Sequence, residues 1–394
     1  MNRVSVNSDI AIIGGGPVGA ALALALQHSG LRITVLEARV ERTSAPRPIA
    51  LSHGSRLLLE RLNAWRGLTG TPINHIHVSQ RGGFGRVALS AADAGVPSLG
   101  YVIDYNDLFC VLSDAARAAH DDYRDGARAT RLQREGDHQR IDYTHDGASA
   151  SLNARWVVVA DGGDLDGLAP PHTKDYAQHA LTACVRTSRP HQNVAYERFT
   201  PDGPLALLPF GDEFSLVWTL TPERAAQLRD ADDKTFLVAL RDTFGARVGE
   251  FKSVSQRACY PLTLRYTVAD NAPGVVTIGN AAQTLHPVAG QGFNLGLRDA
   301  WTLAQTLRDS SPQALTYNAN HANHDYHDAL HRFRARRRLD RDAMVAATHG
   351  LVQLFSNGFL PLQVARGMGM TLLDAISPVR NFLARRMIFG ARGL

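Results

Sequence analysis

The first of two glycine-rich segments in the chain has the spacing of a phosphate-binding turn. Gly14, Gly16 and Gly19 follow an apolar run at residues 10–13 in the pattern G-x-G-x-x-G. In this pattern the first glycine permits a tight turn and the second lets the backbone approach a pyrophosphate, while the third lets a helix pack closely on a strand. The segment therefore predicts a site for a dinucleotide.

The residues around this turn predict a complete β-α-β unit. Residues 10–13 are typical of a buried parallel strand, residues 17–29 predict a helix and residues 31–37 predict a second strand. Pro17 suits the first helical turn, and Gly30 suits the end of the helix, whose positive dipole end would face a phosphate. Glu37 ends the second strand, where an acid binds a ribose 2′-hydroxyl, so FAD or NAD is favoured over NADP.

The second glycine-rich segment lies far along the chain and lacks the G-x-G-x-x-G spacing. Residues 275–278 predict a buried strand, Gly290 and Gly292 a flexible turn, and residues 293–308 a helix with apolar side chains at helical spacing. The N-terminus of this helix could face an anion, such as the N1/C2=O edge of a reduced flavin. One dinucleotide held by both segments explains the pair better than two separate sites.

The remaining polar residues predict neither a hydrolytic triad nor a metal site. The 3 cysteines are far apart, and the 16 histidines lie mostly in polar stretches without ligand spacing. His286, which precedes Pro287, is the candidate for polarising a substrate, and its alternative role is a histidine that packs beside the turn.

Composition and charge limit the classes of protein to which the chain can belong. Its 394 residues are 44% hydrophobic, enough for a large core, and no apolar stretch reaches a membrane-spanning length. Net charge is +5, yet residues 331–394 contain 11 arginines and 3 aspartates, a net +8. This region is also apolar, so it predicts either a helix lying on an anionic membrane or helices packed on the protein with a solvated basic face. No recognised nucleic-acid-binding motif accompanies the charge.

Residues 176–260 have a strand-like pattern that predicts a second sheet. Residues 205–210 and 214–218, separated by a Gly-Asp turn, predict a hairpin, and residues 81–97 are expected to add strands. We expect this sheet to cover the cofactor. Pro209 and Phe210 are candidate substrate residues, although an ordinary sheet core explains the same apolar pattern.

The two motifs together carry a family resemblance. The second segment aligns with the form GDAAH…P..GQG.N.G..DA at Gly279, Asn280, Gln283, Pro287, Gly290, Gln291, Gly292, Asn294, Gly296 and Asp299, and among these it departs from the form at two positions. The chain thereby resembles the flavoprotein aromatic hydroxylases, which are single-component FAD-dependent monooxygenases. It is most similar to their ubiquinone-biosynthesis subgroup, the 2-polyprenyl-6-methoxyphenol hydroxylase type. Asn280 replaces the usual aspartate and Gln283 the usual histidine.

The resemblance implies FAD as the cofactor and suggests which residues bind it. The ADP half would contact Gly14, Gly16, Pro17, Gly19, Glu37 and Arg39. Asp161 belongs to a third family motif, which lies between the two glycine-rich segments. Gly279 and Asn280 would lie near the ribityl chain and phosphate. The residues that would line the isoalloxazine are Pro287, Gly290, Gln291, Gly292, Phe293 and Asn294. Arg47 would lie on the flavin side of the site, unless it is an arginine of a surface loop.

One motif departs from the family pattern. The family's middle motif has the form DG..S..R, and here Asp161 is followed by Leu165 and Leu168 in place of the serine and arginine. Asp164 and Asp166 add negative charge, which is unfavourable for an anionic nicotinamide dinucleotide. Either NAD(P)H reduces the flavin from another surface or a partner reductase does so.

The resemblance also implies a fold. It is an α/β fold with a Rossmann-like FAD-binding domain of the GR2 type, an inserted β-sheet substrate domain and C-terminal helices. We expect the FAD-binding domain at residues 1–75, 100–175 and 265–340, the substrate domain at 76–99 and 176–264, and the helical region at 341–394.

The activity implied by the resemblance is hydroxylation of a membrane-dissolved polyprenyl phenol with O2, through a flavin C4a-hydroperoxide that the protein shields from water. Peripheral contact with the inner face of the cytoplasmic membrane, and partners in a ubiquinone-biosynthesis complex, are then expected. Three alternatives remain: a hydroxylase of a small soluble aromatic, a flavin dehydrogenase or reductase, and a mainly structural flavoprotein of a biosynthetic complex.

Overall fold

The computed structural model describes residues 7–40, 46–162, 165–267, 273–309, 322–355 and 360–390. Along these residues the strands are β1 (Ser8–Ile13), β2 (Ile33–Glu37), β3 (Pro48–Ser52), β4 (Thr71–Ile73), β5 (His75–Gln80), β6 (Arg86–Ser90), β7 (Gly100–Asp104), β8 (Asp122–Asp125), β9 (Arg128–Glu135), β10 (His138–His145), β11 (Ala148–Val159), β12 (His172–Thr187), β13 (Val194–Thr200), β14 (Gly203–Phe210), β15 (Glu213–Leu220), β16 (Phe251–Val254), β17 (Ala258–Tyr266), β18 (Val275–Thr277) and β19 (Gln283–Thr284).

The α-helices lie mainly in three places: beside the first strands, after the hairpin, and at the C-terminal end of the chain. They are α1 (Pro17–Ala25), α2 (His53–Arg61), α3 (Ala91–Ala94), α4 (Tyr105–Ala119), α5 (Pro222–Asp230), α6 (Asp233–Phe244), α7 (Gln291–Arg308), α8 (Ala322–Phe355), α9 (Leu360–Ala375) and α10 (Ser377–Phe389). Short 3-10 turns occupy Trp65–Gly67, Gly279–Ala281 and Val288–Gly290.

The first sheet is the Rossmann-like part of the fold. Its seven strands have the order β8-β2-β1-β11-β10-β9, with β18 paired to β11. β1 runs parallel to both β2 and β11, and every residue of β1 is buried, as expected for a strand covered on both faces. Helices α1, α4 and α7 pack together beside it, because their apolar side chains join those of β1 and β2 in one core.

The second sheet is larger and mostly antiparallel. Its nine strands have the order β19-β17-β12-β15-β14-β13-β5-β6, with β16 paired to β12. β14 and β15 form the predicted hairpin, with Phe210 opposite Glu213. Side chains alternate between the faces: Leu205 and Leu207 pack under α5 and α6, whereas Ala206 and Leu208 face the other side.

The C-terminal helices pack against the second sheet and against α7 beside the first sheet. α8 packs on α7, α9 packs on β6, and α10 contacts α2 and α3. Arg337 of α8 donates to Asp299 of α7 and to Asp340, which also accepts from Arg298 of α7. All four side chains are buried, so Arg337 of the arginine-rich segment packs inside the protein, whereas Arg332 and Arg338 of the same segment are exposed.

The fold class predicted from the sequence is confirmed, with differences at the ends of elements. α1 ends at Ala25 instead of residue 29, because His28 adopts a left-handed conformation, with φ of 63°, that a helix cannot contain. The division into domain ranges stays a prediction, and its boundary at residue 341 falls inside α8. In the described part of the chain, none of the helices is both long and apolar enough to span a bilayer.

Candidate functional site

Two glycines of the first turn are required by the fold itself. Gly14 has φ of +97°, and a Cβ there would lie 2.7 Å from the backbone of Asp161, which follows β11. A Cβ at Gly19 would lie 1.9 Å from the carbonyl oxygen of Gly14. These two positions therefore let α1 and β11 close tightly around the turn at the end of β1.

Gly16 has a different environment, which fits a bound pyrophosphate. It caps α1 with an ordinary φ of −61°, and no side chain caps the helix. A Cβ at Gly16 would meet only the end of one flexible side chain, Nη2 of Arg39, at 2.8 Å. Pro17 occupies the first turn of α1, as predicted from the sequence. The uncapped helix N-terminus and the bare backbone beside it form the cradle that an FAD pyrophosphate requires.

Glu37 and Arg39 form an ion pair beside this cradle. The buried Glu37 carboxylate accepts from the backbone N–H of Arg39 at 2.9 Å and from its Nε at 3.1 Å. The Arg39 guanidinium also lies 4.6 Å above the ring of Phe109, a cation–π contact at the edge of the turn. Glu37 thus lies at the edge of the turn, at the end of the strand where an acid binds a ribose hydroxyl.

Two residues that sequence reasoning did not identify hold the middle of the turn. The hydroxyls of Ser113 in α4 and Tyr123 in β8 both donate to the carbonyl oxygen of Gly15 at 3.2 Å. Burial raises the pKa of Tyr123 to about 12, so it stays a donor at all physiological pH values. Nothing in the local pattern marks these residues, because the contacts depend on the packing of α4 on α1 and on strand pairing between β2 and β8.

The second glycine segment closes on the first through small residues. Gly279 and Gly296 both lie against Val18 of α1, and a Cβ at Gly296 would come within 3.1 Å of Gly279 Cα. Asp299 accepts from the Gly279 N–H at 3.2 Å and from Nε2 of Gln283 at 2.7 Å, so the glutamine found in place of the family histidine supports this turn. The side chain of Asn280, predicted to lie near the ribityl chain, is exposed at the turn.

Asn294 links the second glycine segment to residues 50–55 through side-chain hydrogen bonds. Its Oδ1 accepts from Ser52 N at 2.8 Å and from Ser55 Oγ at 2.7 Å, and its Nδ2 donates to Ala50 O and Gly290 O. Gly290 is left-handed, with φ of 59°, and Gly292 has open space where a Cβ would be. Gln291 begins α7 as a buried residue, and Phe293 borders the cavity described below.

His286 is buried beside the turn. Its Nδ1 accepts from the Val288 N–H at 3.2 Å, and its ring meets Tyr176 edge-on at 5.4 Å. Burial lowers the pKa of His286 to about 4, so the ring is neutral near pH 7 and carries its proton on Nε2. His286 and Pro287 both line the cavity, while a catalytic role for either stays a prediction.

The remaining predicted residues lie around the edges of the site. Arg47 is exposed just before β3, with its guanidinium 4.8 Å above the ring of Tyr105. Leu165 and Leu168 belong to the apolar core under the first sheet, so the middle motif uses these positions for packing. Asp164 lies outside the described residues. Within those residues, no group of three or more potential ligands forms a metal site.

A large apolar cavity adjoins the second glycine segment. It has a volume of about 680 Å³ and extends from Pro287 and Phe293 across the second sheet to the C-terminal helices. Its sheet wall contains Ile76, Val78, Val87, Leu89, Ala195, Glu197, Phe199, Ala206, Leu208 and Val217. Its helical wall contains Leu351, Leu354, Phe355, Leu362, Ala365, Arg366, Gly369, Met370, Leu373, Leu383 and Met387.

The cavity clarifies where the predicted substrate residues lie. Pro209 is buried, and Phe210 packs in a small cluster with Ile73 and Val102. The side chains of the same strand that line the cavity are Ala206 and Leu208. Substrate binding by Pro209 and Phe210 stays a prediction.

Comparisons with known proteins show the family to which the chain belongs. A sequence model of the FAD binding domain family matches residues 7–334. The chain is 32% identical over 398 residues to the ubiquinone hydroxylase UbiL of Rhodospirillum rubrum. This match covers 96% of this chain and 89% of that protein. It is also 31% identical over 378 residues to the 3-demethoxyubiquinol 3-hydroxylase of Escherichia coli. This match covers 92% of this chain and 94% of that protein.

A solved structure with the same fold is p-nitrophenol 4-monooxygenase PnpA from Pseudomonas putida DLL-E4. The TM-score is 0.77 at 16% identity, and the match covers 99% of this chain and 100% of that one. FAD is the cofactor, and NAD(P)H and O2 are the co-substrates typical of such enzymes. The glycine cradle, the fold and the family match lead to one conclusion: the chain belongs to the FAD binding domain family and is an FAD-dependent monooxygenase of the aromatic hydroxylase type.

Proposed function

We propose that this enzyme hydroxylates a polyprenylated phenol in ubiquinone biosynthesis. The observation that carries the proposal is the apolar cavity of about 680 Å³ beside Pro287 and Phe293. A phenol ring with an isoprenoid chain is almost entirely apolar, and burying it in such a cavity contributes roughly 25 cal/mol for each Å² removed from water. Similarity over most of the chain to two enzymes named for ubiquinone hydroxylation supports the substrate class.

The residues of the site have separable tasks in this reaction. Gly16 and the N-terminus of α1 would bind the pyrophosphate, Glu37 would bind the ribose, and the turn at Pro287 and Gly290 would border the isoalloxazine. Bound FAD would supply the oxygen activation. The apolar walls of the cavity would hold the ring in place and exclude water from it.

A substrate series tests the proposal. The purified holoenzyme receives NADH or NADPH, O2 and either a short-chain polyprenyl phenol or a small hydrophilic phenol, and the hydroxylated product is quantified against O2 consumed. We expect coupled product from the prenylated phenol. Coupled product from the small phenol alone would identify a soluble-aromatic hydroxylase instead. A flavin that neither nucleotide reduces would indicate a partner reductase or a structural flavoprotein.

We also infer peripheral contact with the inner face of the cytoplasmic membrane. Apolar side chains of α9 and α10 are exposed next to the helical wall of the cavity, notably Met368 at 63% and Phe382 at 67%. A neighbouring cavity beside α9, of about 460 Å³, contains Arg86, Arg198 and Arg247. Exposed apolar side chains flanked by cations favour an anionic bilayer, in which a polyprenyl phenol dissolves. Proteins of a biosynthetic complex are the alternative partners for this surface.

A further inference from the structure

The apolar cavity contains one carboxylate among the described residues that line it. Glu197 lies in the middle of β13, opposite Ala206 of β14 and Val78 of β5, and both of these neighbours are cavity residues. Alternation along β13 directs Ala195, Glu197 and Phe199 to the same face. The accessible part of the Glu197 side chain therefore faces the cavity where we propose that the substrate binds.

The Glu197 side chain is half-buried, and the part of its carboxylate that is shielded from water has no protein partner among the described residues. Across the described ranges of the chain, neither a hydrogen-bond donor nor a cation contacts it. Burial alone raises its pKa to about 7. An unpaired acid in an apolar cavity costs stability, and such groups concentrate at sites where they act on a ligand.

The other titratable groups that line the cavity cannot accept a proton near pH 7. His286 receives the Val288 N–H on Nδ1, and its Nε2 carries the ring proton, so the neutral ring has no free acceptor nitrogen. Arg366 is a cation that donates to the Leu354 and Phe355 carbonyls at 2.7 and 3.1 Å. Tyr196 is a phenol whose pKa is raised by burial. Glu197 is therefore the acceptor.

We propose that Glu197 takes the phenolic proton of the substrate, and this inference rests on the proposed function. The phenol O–H bond breaks, its electron pair stays on the oxygen and the proton moves to the carboxylate. The electron-rich ring then attacks the oxygen delivered by the loaded enzyme. When the ring loses its own C–H proton to solvent and becomes aromatic again, the carboxylic acid returns its proton to the phenolic oxygen.

The pKa of the carboxyl suits this task better than an ordinary glutamate would. A proton acceptor works best when its pKa lies near the operating pH, because it is then both ionised and basic. A solvent-exposed glutamate near pKa 4.5 would be a far weaker base towards a phenol. The apolar walls that bind a prenyl chain are the same walls that raise the pKa of Glu197, so one set of side chains serves both purposes.

The experiment compares wild type with Glu197→Gln and with the matched control Glu223→Gln, an exposed acid at the start of α5. A non-reacting phenol analogue, made acidic enough by an electron-withdrawing group to ionise in this range, is bound to each oxidised holoenzyme, and its phenol-to-phenolate absorbance change is recorded from pH 5 to 9. Steady-state hydroxylation of a short-chain prenyl phenol is measured alongside. In wild type and the control we expect the bound phenol to transfer its proton as Glu197 ionises.

In Glu197→Gln we expect that spectral change to disappear while FAD content stays the same. Turnover should fall by roughly 10²-fold or more with little change in KM, the usual size of a general-base contribution. A phenol bearing an electron-withdrawing group, already ionised at the assay pH, should recover most of the rate. Unchanged ionisation and turnover in Glu197→Gln would overturn the role of Glu197 alone. A prenyl phenol that fails to bind wild type would instead overturn the proposed function.

Discussion

The glycines of the first turn differ in what they do, and this difference predicts separable phenotypes. Gly16 has an allowed backbone conformation, and only the mobile end of Arg39 lies near it. We expect Gly16→Val to fold with a melting temperature close to that of the apo wild type, and to lose most of its FAD because the added side chain fills the pyrophosphate cradle. Flavin absorbance per polypeptide and thermal unfolding of the apo proteins measure the two properties.

Gly19→Ala is the comparison for this variant. Its Cβ would lie 1.9 Å from the Gly14 carbonyl oxygen, so we expect loss of the fold as well as of the cofactor. Full FAD occupancy in a folded Gly16→Val protein would contradict the pyrophosphate assignment.

Glu197 also predicts an unusual pH dependence of stability. Its pKa is raised on folding, so the folded state retains a proton that the unfolded state loses above about pH 4.5. Stability is therefore lost as pH rises towards 7, up to about 3 kcal/mol. Glu197→Gln removes this loss, and we expect its melting temperature relative to wild type to rise between pH 5 and 8. A constant difference across that range would show that the carboxyl is not buried as described.

At the scale of single residues, the sequence predicts the residues whose roles depend on neighbours close to them in the chain. The spacing of Gly14, Gly16 and Gly19, and the position of Glu37 at the end of a strand, identify the cofactor turn because the β-α-β unit is continuous in the chain. Glu197 is not predictable in the same way. It lies in a strand that carries other polar residues, and only the packing of three distant segments makes its surroundings apolar.

The contact between α7 and α8 depends on a buried ionic network. Arg337 bonds Asp299 at 2.6 Å and Asp340 at 2.6 Å, and Arg298 bonds Asp340 at 2.9 Å. Asp299 in turn holds the N–H of Gly279, so the network links the C-terminal helices to the second glycine segment. Because each buried charge has an opposite partner, the network is tolerated inside the protein only as a unit.

Arg337→Met tests this link between the elements. The substitution leaves Asp299 buried without its charged partner, and we expect a loss of about 3–5 kcal/mol in the free energy of unfolding. Arg338→Met is the control on the same helix, since the Arg338 side chain is 81% exposed and its loss should cost under about 0.5 kcal/mol. Urea denaturation of the two holoproteins compares them, and equal midpoints would contradict a structural role for the network.

The sequence predicts these elements better than it predicts their contacts. The periodicity of residues 293–308 predicts α7 to within two residues, because apolar side chains recur on one helical face. The arginine-rich run at residues 331–341 suggests a solvated or membrane-facing surface, yet Arg337 is turned inward. Composition alone cannot distinguish a buried arginine from an exposed one, since the difference depends on whether acids of another helix lie opposite.

At the scale of the whole molecule, the apolar cavity exists only where distant parts of the chain meet. The turn at Pro287 supplies one end, β13–β15 supply the floor, and α9 and α10 supply the cover. Those helices are apolar on both sides: Leu373 and Met387 line the cavity, while Met368, Leu372 and Phe382 are exposed. This arrangement suits an enzyme that takes an apolar substrate from a bilayer lying against the outer side of its cover.

The same arrangement predicts how membrane binding can be separated from folding. We expect the double variant Met368→Asp/Phe382→Asp to lose most of its co-sedimentation with vesicles containing anionic phospholipid, because two charges would enter the interface in place of apolar side chains. Both side chains are mostly exposed, so the melting temperature and FAD content should stay close to wild type. Val238→Asp, at an exposed apolar position of α6, is the matched control and should bind vesicles normally. Turnover of a vesicle-dissolved prenyl phenol should fall in the double variant, whereas turnover of the same phenol in detergent should not. Equal vesicle binding by all three proteins would contradict a membrane role for α9 and α10, and would favour a protein partner for this surface.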